Sequence, residues 1–420
     1  MNVKELLLGR ETCECGRSHR CPIDHVIISE NALDSLPEIT SEYKNILLVA
    51  DKNTYRVCGN TVSKILEKQL TDTLVYATEE VLVPDEKAIE ELKAHVTEAT
   101  DLIIGVGSGV INDLCKHVSF ISGLPYYIVA TAPSMDGYAS KGAALILEGM
   151  KVTFNADVPK AIIADVNVLK NAPFDMIQSG YGDIIGKYSC LNDWKLAHVV
   201  NGEYLCKFVM DATYDAVEET VRLADGLVKR EAEAVKALME ALVAVGILMA
   251  YVGNSRPASG SEHHMSHYFE IVGIVRGEKY FPHGVDVVYS AIDTAKIREE
   301  LLAIEDINGF VTHHNAEKYE AEISRIYTDI TDEVLALQNK LGWYFDDRVS
   351  IYREKWAEIR EVLSDCPSSE RMLELTEKIG LSYGDFKALY GEKKIADAHL
   401  YAKDLKDRYS VLWMYYDLMN

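Results

Sequence analysis

The sequence predicts an α/β N-terminal domain built on a parallel sheet, followed by an all-α C-terminal domain. Two observations carry this. Over the first 170 or so residues, short apolar runs alternate with helix-like segments, the pattern of buried strands covered by helices on both faces. From residue 171 onward strand signals become rare, and long helix-compatible stretches such as "REAEAVKALMEALVAVGILMAYV" take over. The boundary falls near Asn171–Pro173, giving domains 1–170 and 171–420.

Taken in order, "NILLVAD" (45–51) is a strand ending in a polar turn, followed by the helical "TVSKILEKQL". "DTLVYAT" and the helical "DEKAIEELKAHVTEA" repeat the unit, and "DLIIGVG" with "VINDLCKHVSFISG" repeats it again. "PYYIVAT", "KVTFN" and "KAIIADVNVL" supply the remaining strands of this half. The apolar "ALVAVGILMAYVG" (241–253) is shorter than the roughly 20 residues a membrane crossing needs and reads as a core helix.

Composition narrows the function. The 420 residues are 48% hydrophobic, ample for a buried core. Lys+Arg number 43 against Asp+Glu 66, a formal net charge of −23, which argues against binding a nucleic-acid backbone. A small anionic substrate needs only a few local cations and stays open. The eight cysteines are scattered, as in a reduced, cytoplasmic protein, and the N-terminus has too short an apolar run for a signal peptide.

Three stretches carry candidate chemistry. "IIGVGSGVINDLCK" (103–116) is a strand running through Gly105, Gly107 and Gly109 into a helix. Such a turn lets backbone N–H groups and a helix N-terminus meet a phosphate, although it lacks the usual dinucleotide spacing and sits in the third βα unit. "SGSEHHMSHYFE" (259–270) places His263 and His267 on one helical face, with His264 about 100° round the axis. With His283 in "YFPHGVD" and Asp183 in "SGYGDIIGKYSC", two imidazoles and a carboxylate would leave a metal an open position. An exposed His/Glu helix without metal is the plain alternative. "CECGRSHRC" (13–21) gathers Cys13, Cys15, His19 and Cys21: a small structural zinc site, or a hairpin turn with inert cysteines.

In sequence order, "GVGSGVINDLCK" (105–116), "TAPSMDGYAS" (131–140), "GYGDIIGK" (180–187), "SGSEHHMSH" (259–267) and "HG" (283–284) resemble the metal-dependent polyol dehydrogenases of the dehydroquinate synthase-like fold, and among them the sn-glycerol-1-phosphate dehydrogenases. The resemblance spans residues 45–290. It implies Asp183, His263 and His283 as metal ligands and the Gly107–Ser108–Gly109 turn as the pyrophosphate cradle. Asp113 and Lys116 hold the family's helix positions after that turn. Asp136 would meet the substrate, Thr131 and Ser140 the nicotinamide side, and Asp51 the adenosine ribose, an acidic residue that favours NAD without excluding NADP.

The implied reaction is reversible NAD(P)-dependent reduction of dihydroxyacetone phosphate to sn-glycerol 1-phosphate, feeding phospholipid biosynthesis. His267 is the candidate proton carrier, and Lys187 and Arg256 are candidate phosphate ligands. Iron-type relatives carry a further histidine ligand where this chain has Lys187, so zinc or nickel is expected rather than iron. Dehydroquinate synthases carry glutamate where this chain has Asp183. A dehydrogenase for glycerol or another polyol is the alternative enzyme, and a non-catalytic nucleotide-binding relative the alternative from another class. A homo-oligomer with a small-molecule substrate and no membrane span is expected.

Overall fold

The computed structural model describes residues 3–77, 82–147 and 150–420. The chain forms two compact units. Unit 1 contains residues 1–184 and 218–254, and unit 2 contains residues 185–217 and 255–420. This differs from a single cut at 170/171. The segment 218–254 returns to unit 1 because the helix Ala232–Val252 packs on the short turn Asp136–Ala139. Gly246 lies so close there that a Cβ would stand 2.8 Å from the Asp136 carbonyl oxygen. That helix is 21 residues long, longer than the apolar run 241–253 alone and enough to cross a membrane by length and composition. However, 78% of its most apolar window is buried inside the protein, so it serves as a core helix.

Unit 1 is built on β1 (His25–Ser29), β2 (Ile46–Asp51), β3 (Leu70–Tyr76), β4 (Leu102–Gly107), β5 (Tyr126–Ala130), β6 (Gly142–Leu147), β7 (Met150–Asn155) and β8 (Ala161–Asp165). Six of these form one sheet in the order β1-β8-β5-β4-β2-β3, and every pair in it is parallel. β4, β5 and β8 are buried along their whole length, which is why they read as continuous apolar runs instead of alternating ones. β6 and β7 form a separate antiparallel hairpin. β1 and β6 were not anticipated: "HVIIS" and "GAALIL" are short and lack flanking helical periodicity.

The strand order runs outward from β2, to β3 on one side and to β4, β5 and β8 on the other. The β2/β4 junction is therefore a topological switch point, where the carboxyl ends of parallel strands open a crevice for a ligand.

Among the described residues unit 2 is helical and holds no strand. The helices Lys187–Asn201, Ser261–Arg276 and His283–Leu302 are joined at Ser189. Its Oγ lies 3.1 Å from Ser261 Oγ and 3.0 Å from Thr294 Oγ1. The aromatic C-terminal helix Val411–Met419 buries Trp413 and Met414 completely. Arg348 closes on Asp417 through two hydrogen bonds, Nε at 2.7 Å and Nη2 at 2.9 Å. The terminal aromatic stretch is therefore core of this unit.

Glycine at 180 is dictated by contact. A Cβ there would stand 1.8 Å from the Pro133 carbonyl oxygen, a backbone atom that cannot rotate away. Gly180→Ala is expected to lower stability by about 3 kcal/mol or more, as overpacking against backbone does. Gly309→Ala, with nothing within 4 Å of its added methyl, should stay within about 0.5 kcal/mol. Urea unfolding of both variants checks the contrast.

Candidate active site

In unit 1 the candidate residues gather at the carboxyl ends of three adjacent strands. Asp51 ends β2, Gly107 ends β4, and Thr131 follows β5, its N–H donating to the Gly107 carbonyl at 3.0 Å. They flank the switch point. The helix Gly109–Ser122 starts directly after Ser108, so its free amides face the same end. The three glycines have different reasons. A Cβ on Gly105 would meet Cys115 Sγ at 2.9 Å, and one on Gly107 would meet Ile111 Cβ at 2.6 Å, so both let the helix pack tightly on β4. A Cβ on Gly109 would meet only the end of the Met135 side chain, at 3.9 Å. Of the three, Gly109 is the glycine whose surroundings leave room for a ligand.

Asp51 is also the cap of the next helical turn. Its Oδ1 accepts from the N–H groups of Asn53 at 2.7 Å and Thr54 at 2.9 Å. Asp113 ties the helix to the hairpin, taking the Ala144 N–H on Oδ2 at 3.2 Å and the Asn112 amide on Oδ1 at 3.0 Å. Lys116 is fully buried and donates to the carbonyls of Gly137 at 2.7 Å and Gly142 at 2.9 Å. Burial pushes its ammonium down to about 8, against the nearby charges of Asp113 and Asp136. The Ser140 hydroxyl bonds to the same two carbonyls, at 3.1 and 3.3 Å. Lys116 and Ser140 thus hold the 131–142 loop in shape and Asp113 the hairpin that follows it, positioning roles that the glycine motif alone did not reveal.

That loop also holds Asp183. The Asp136 N–H donates to Asp183 Oδ2 at 2.9 Å, and Ser179 Oγ donates to the Ser134 carbonyl at 3.1 Å. Asp183 lies on the helix Phe174–Ile185, which meets the loop through Gly180 against Pro133.

In unit 2 the histidine rings converge. Those of His263 and His283 are 5.1 Å apart centre to centre, although they come from different helices, and one ring nitrogen of each lies within 4.8 Å of the other. His267 stands one turn beyond His263, its ring 6.0 Å from His263 and 5.4 Å from His283. Glu262 turns the His263 ring: Nδ1–H donates to Glu262 Oε1 at 2.6 Å, and the same oxygen accepts the Gly260 N–H at 2.9 Å. Burial pushes the Glu262 carboxyl up, but the hydrogen bond and charge of His263 and the Gly260 amide bring it below its usual range. A carboxylate on Nδ1 fixes the tautomer and the orientation of the ring. His264 is buried on another face. Burial and the charges of Arg408, Lys406 and Arg256 hold it well below its ordinary pKa, and neither of its nitrogens has a hydrogen-bond partner among the described residues. It is a neutral core histidine.

The expected phosphate ligands are more engaged than free cations would be. Lys187 is fully buried, and its Nζ donates to the Ala258 carbonyl at 3.0 Å. Arg256 donates to Glu203 from Nε at 2.6 Å and also from Nη2, and from Nη1 to the Tyr409 carbonyl at 2.9 Å. Sequence reasoning missed Arg408, which donates to the Ser259 carbonyl at 2.6 Å and to Ser255 Oγ at 2.9 Å, in the segment just before the histidine helix.

It also missed the support of that helix. Asp193 Oδ2 accepts the Ser261 N–H at 2.6 Å, while Oδ1 takes Arg298 at 2.8 Å and the Val411 N–H at 2.9 Å. Arg298 in turn donates to Asn192 Oδ1 at 2.8 Å and to the carbonyls of Ser189 at 3.1 Å and Thr294 at 2.9 Å. A lone aspartate and arginine 105 positions apart give no local signal.

The model of the family described as iron-containing alcohol dehydrogenase matches residues 27–173. The glycerol-1-phosphate dehydrogenase [NAD(P)+] of Halalkalibacterium halodurans is 36% identical over 67% of this chain and 72% of its own length. That of Geobacillus thermodenitrificans is 30% identical over 88% of this chain and 86% of its own. Among solved structures, sulfoacetaldehyde reductase from Bifidobacterium kashiwanohense in complex with NAD+ superposes with a TM-score of 0.63 over 95% of this chain and 97% of its own, at 13% identity. Glycerol dehydrogenase from Schizosaccharomyces pombe gives 0.54 over 86% and 92%, at 18% identity. At such identities these structures establish the shared fold alone.

Asp193→Asn leaves the buried Arg298 charge without its partner and should cost about 3–5 kcal/mol of stability. Chemical unfolding monitored by far-ultraviolet circular dichroism measures it.

Proposed function

The chain belongs to the glycerol-1-phosphate dehydrogenase family, and we propose that it interconverts dihydroxyacetone phosphate and sn-glycerol 1-phosphate, using NAD or NADP and one divalent metal. The observation that carries this reading is the convergence of the His263 and His283 rings, with Glu262 holding Nδ1 of His263 and so orienting its ring. Two imidazoles with the Asp183 carboxylate make a nitrogen–oxygen donor set suited to zinc or nickel. Lys187, standing where a further imidazole would be needed, favours these over iron.

When bound, the metal supplies a Lewis acid for the C2 oxygen of the ketone. The rest falls to the chain. The Gly107–Ser108–Gly109 turn and the amides of the helix behind it take the cofactor pyrophosphate. Asp51, its Oδ1 engaged in capping, offers Oδ2 to the adenosine ribose. Thr131 lines the nicotinamide side, and Ser140 holds the loop that shapes it. Asp136 fixes a substrate hydroxyl. Lys187 offers its ammonium to the substrate phosphate, and Arg256, oriented by Glu203, supports it together with Arg408. His267 delivers the proton the C2 oxygen needs as C2 takes hydride, and removes it in the reverse direction. We place the enzyme in the cytoplasm, a reading supported by the scatter of its eight cysteines along the chain, and take it to act as a homo-oligomer in phospholipid synthesis.

The test strips the enzyme of metal, reloads it with zinc or nickel, and follows NADH oxidation by dihydroxyacetone phosphate and by dihydroxyacetone. Metal-restored turnover confined to the phosphorylated ketone is expected; turnover of dihydroxyacetone alone would make the chain a glycerol-type dehydrogenase. Lys187→Met should raise KM for dihydroxyacetone phosphate by about tenfold or more, the size of one lost charged hydrogen bond, while leaving KM for NADH near its original value. Equal changes in both would reject the phosphate assignment. Glu262→Gln should weaken metal affinity by about 10–100-fold, the usual effect of losing a partner behind a histidine ligand, as read by competition with a chromophoric chelator.

A further inference from the structure

We infer that the loop 13–21 is a second metal site, structural in role, with Cys13, Cys15 and His19 as ligands to zinc. The reaction proposed above uses none of these residues. Their ligand atoms all lie within 4.8 Å of one another, and Cys15 Sγ is 3.4 Å from His19 Nε2. Thiolate and imidazole held about 2.1–2.3 Å from a common zinc ion stand roughly 3.5 Å apart. The observed spacing matches that of ligands around a shared ion.

The loop is organised to present them. Arg10 and His19 exchange backbone hydrogen bonds, both at 2.8 Å, closing its base. Gly16, at φ +80°, turns the chain so that its N–H reaches the Cys13 carbonyl at 2.9 Å; a side chain there would be strained. This turn puts Cys13 and Cys15 on the same side as His19. His19 is fully buried and stacks on Tyr251, ring centres 5.2 Å apart. Its Nδ1–H donates to the Tyr251 carbonyl at 3.3 Å, so the lone pair of Nε2 points at Cys15. A ring nitrogen fixed by a carbonyl while the other faces a cysteine sulfur is the arrangement of a metal-bound histidine.

Cys21 stands apart. It is buried, and it is not among the residues whose ligand atoms converge with those of Cys13, Cys15 and His19. The bound ion would fasten the N-terminal segment to the end of the helix Ala232–Val252, where the Tyr251 hydroxyl already donates to the Leu6 carbonyl. Zinc is tetrahedral at structural sites, so a fourth donor completes the sphere, either water or a further cysteine.

The full chain, purified reduced, is loaded with cobalt in place of zinc. Only a thiolate site gives sulfur-to-cobalt charge-transfer absorption, which the Asp183, His263 and His283 set cannot produce. The expected result is such absorption at about one equivalent per chain, its intensity counting two thiolates or three. The Cys13→Ser/Cys15→Ser double variant should lose it while keeping turnover of dihydroxyacetone phosphate within about twofold. Differential alkylation of the unaltered chain needs no variant: zinc should protect Cys13 and Cys15 and leave them reactive in its absence. No charge-transfer absorption, absorption unchanged in the double variant, or alkylation of both cysteines indifferent to zinc would each overturn the site.

Discussion

The Asp193–Arg298 pair is the contact on which the helical unit turns. Both residues are buried, and an isolated charge there would cost several kcal/mol. Each is instead surrounded by partners from different segments: the start of the histidine helix, the helices Lys187–Asn201 and His283–Leu302, and the start of the C-terminal helix. Asp193 also occupies the cap position of a helix whose own preceding residue, Gly260, has no side chain to offer. Gly260 is required for that approach, since a Cβ would stand 2.6 Å from both Asp193 Oδ2 and the Cys190 Cα. The orientation of His263 thus depends on a glycine, a buried carboxylate and a buried guanidinium, none of which is itself a candidate ligand.

Unit 1 obeys a different constraint. Its parallel strands are joined by crossovers, and where the winding direction reverses, the strand ends cannot be covered by a connecting loop. Asp51, Gly107 and Thr131 stand at those ends. Lys116 does for this unit what Arg298 does for the other, joining the Gly137 carbonyl of the short turn Asp136–Ala139 to the Gly142 carbonyl at the start of β6. Its removal from water is what lowers its pKa. A buried cation thus shapes the candidate site in each unit.

Much of this was legible in the chain. β2, β4, β5 and β8 announced themselves as apolar runs because both faces of a parallel sheet are covered. β1 did not, because "HVIIS" is short and pairs with β8, far away in sequence; β6 did not, because "GAALIL" pairs only with the neighbouring β7, outside the main sheet. Residues 218–254 read as part of the helical half because their pattern is helical; only the small residues facing Asp136–Ala139 assign them to the sheet-bearing unit. The hydrogen bonds of Asp113 and Ser140 were not legible, because motif position does not record where a hydroxyl or carboxylate finds its partners.

The sequence by itself determined the fold class, the glycine turn, the spacing of His263 and His267 and the family, because each is written in local periodicity or in an ordered set of short motifs. The tertiary structure alone decided that Glu262 orients His263, that His264 is inert, that Arg256 answers to Glu203, and that Asp193 and Arg298 meet. Burial and pairing are properties of residues remote in the chain, and no local pattern encodes the distance between them.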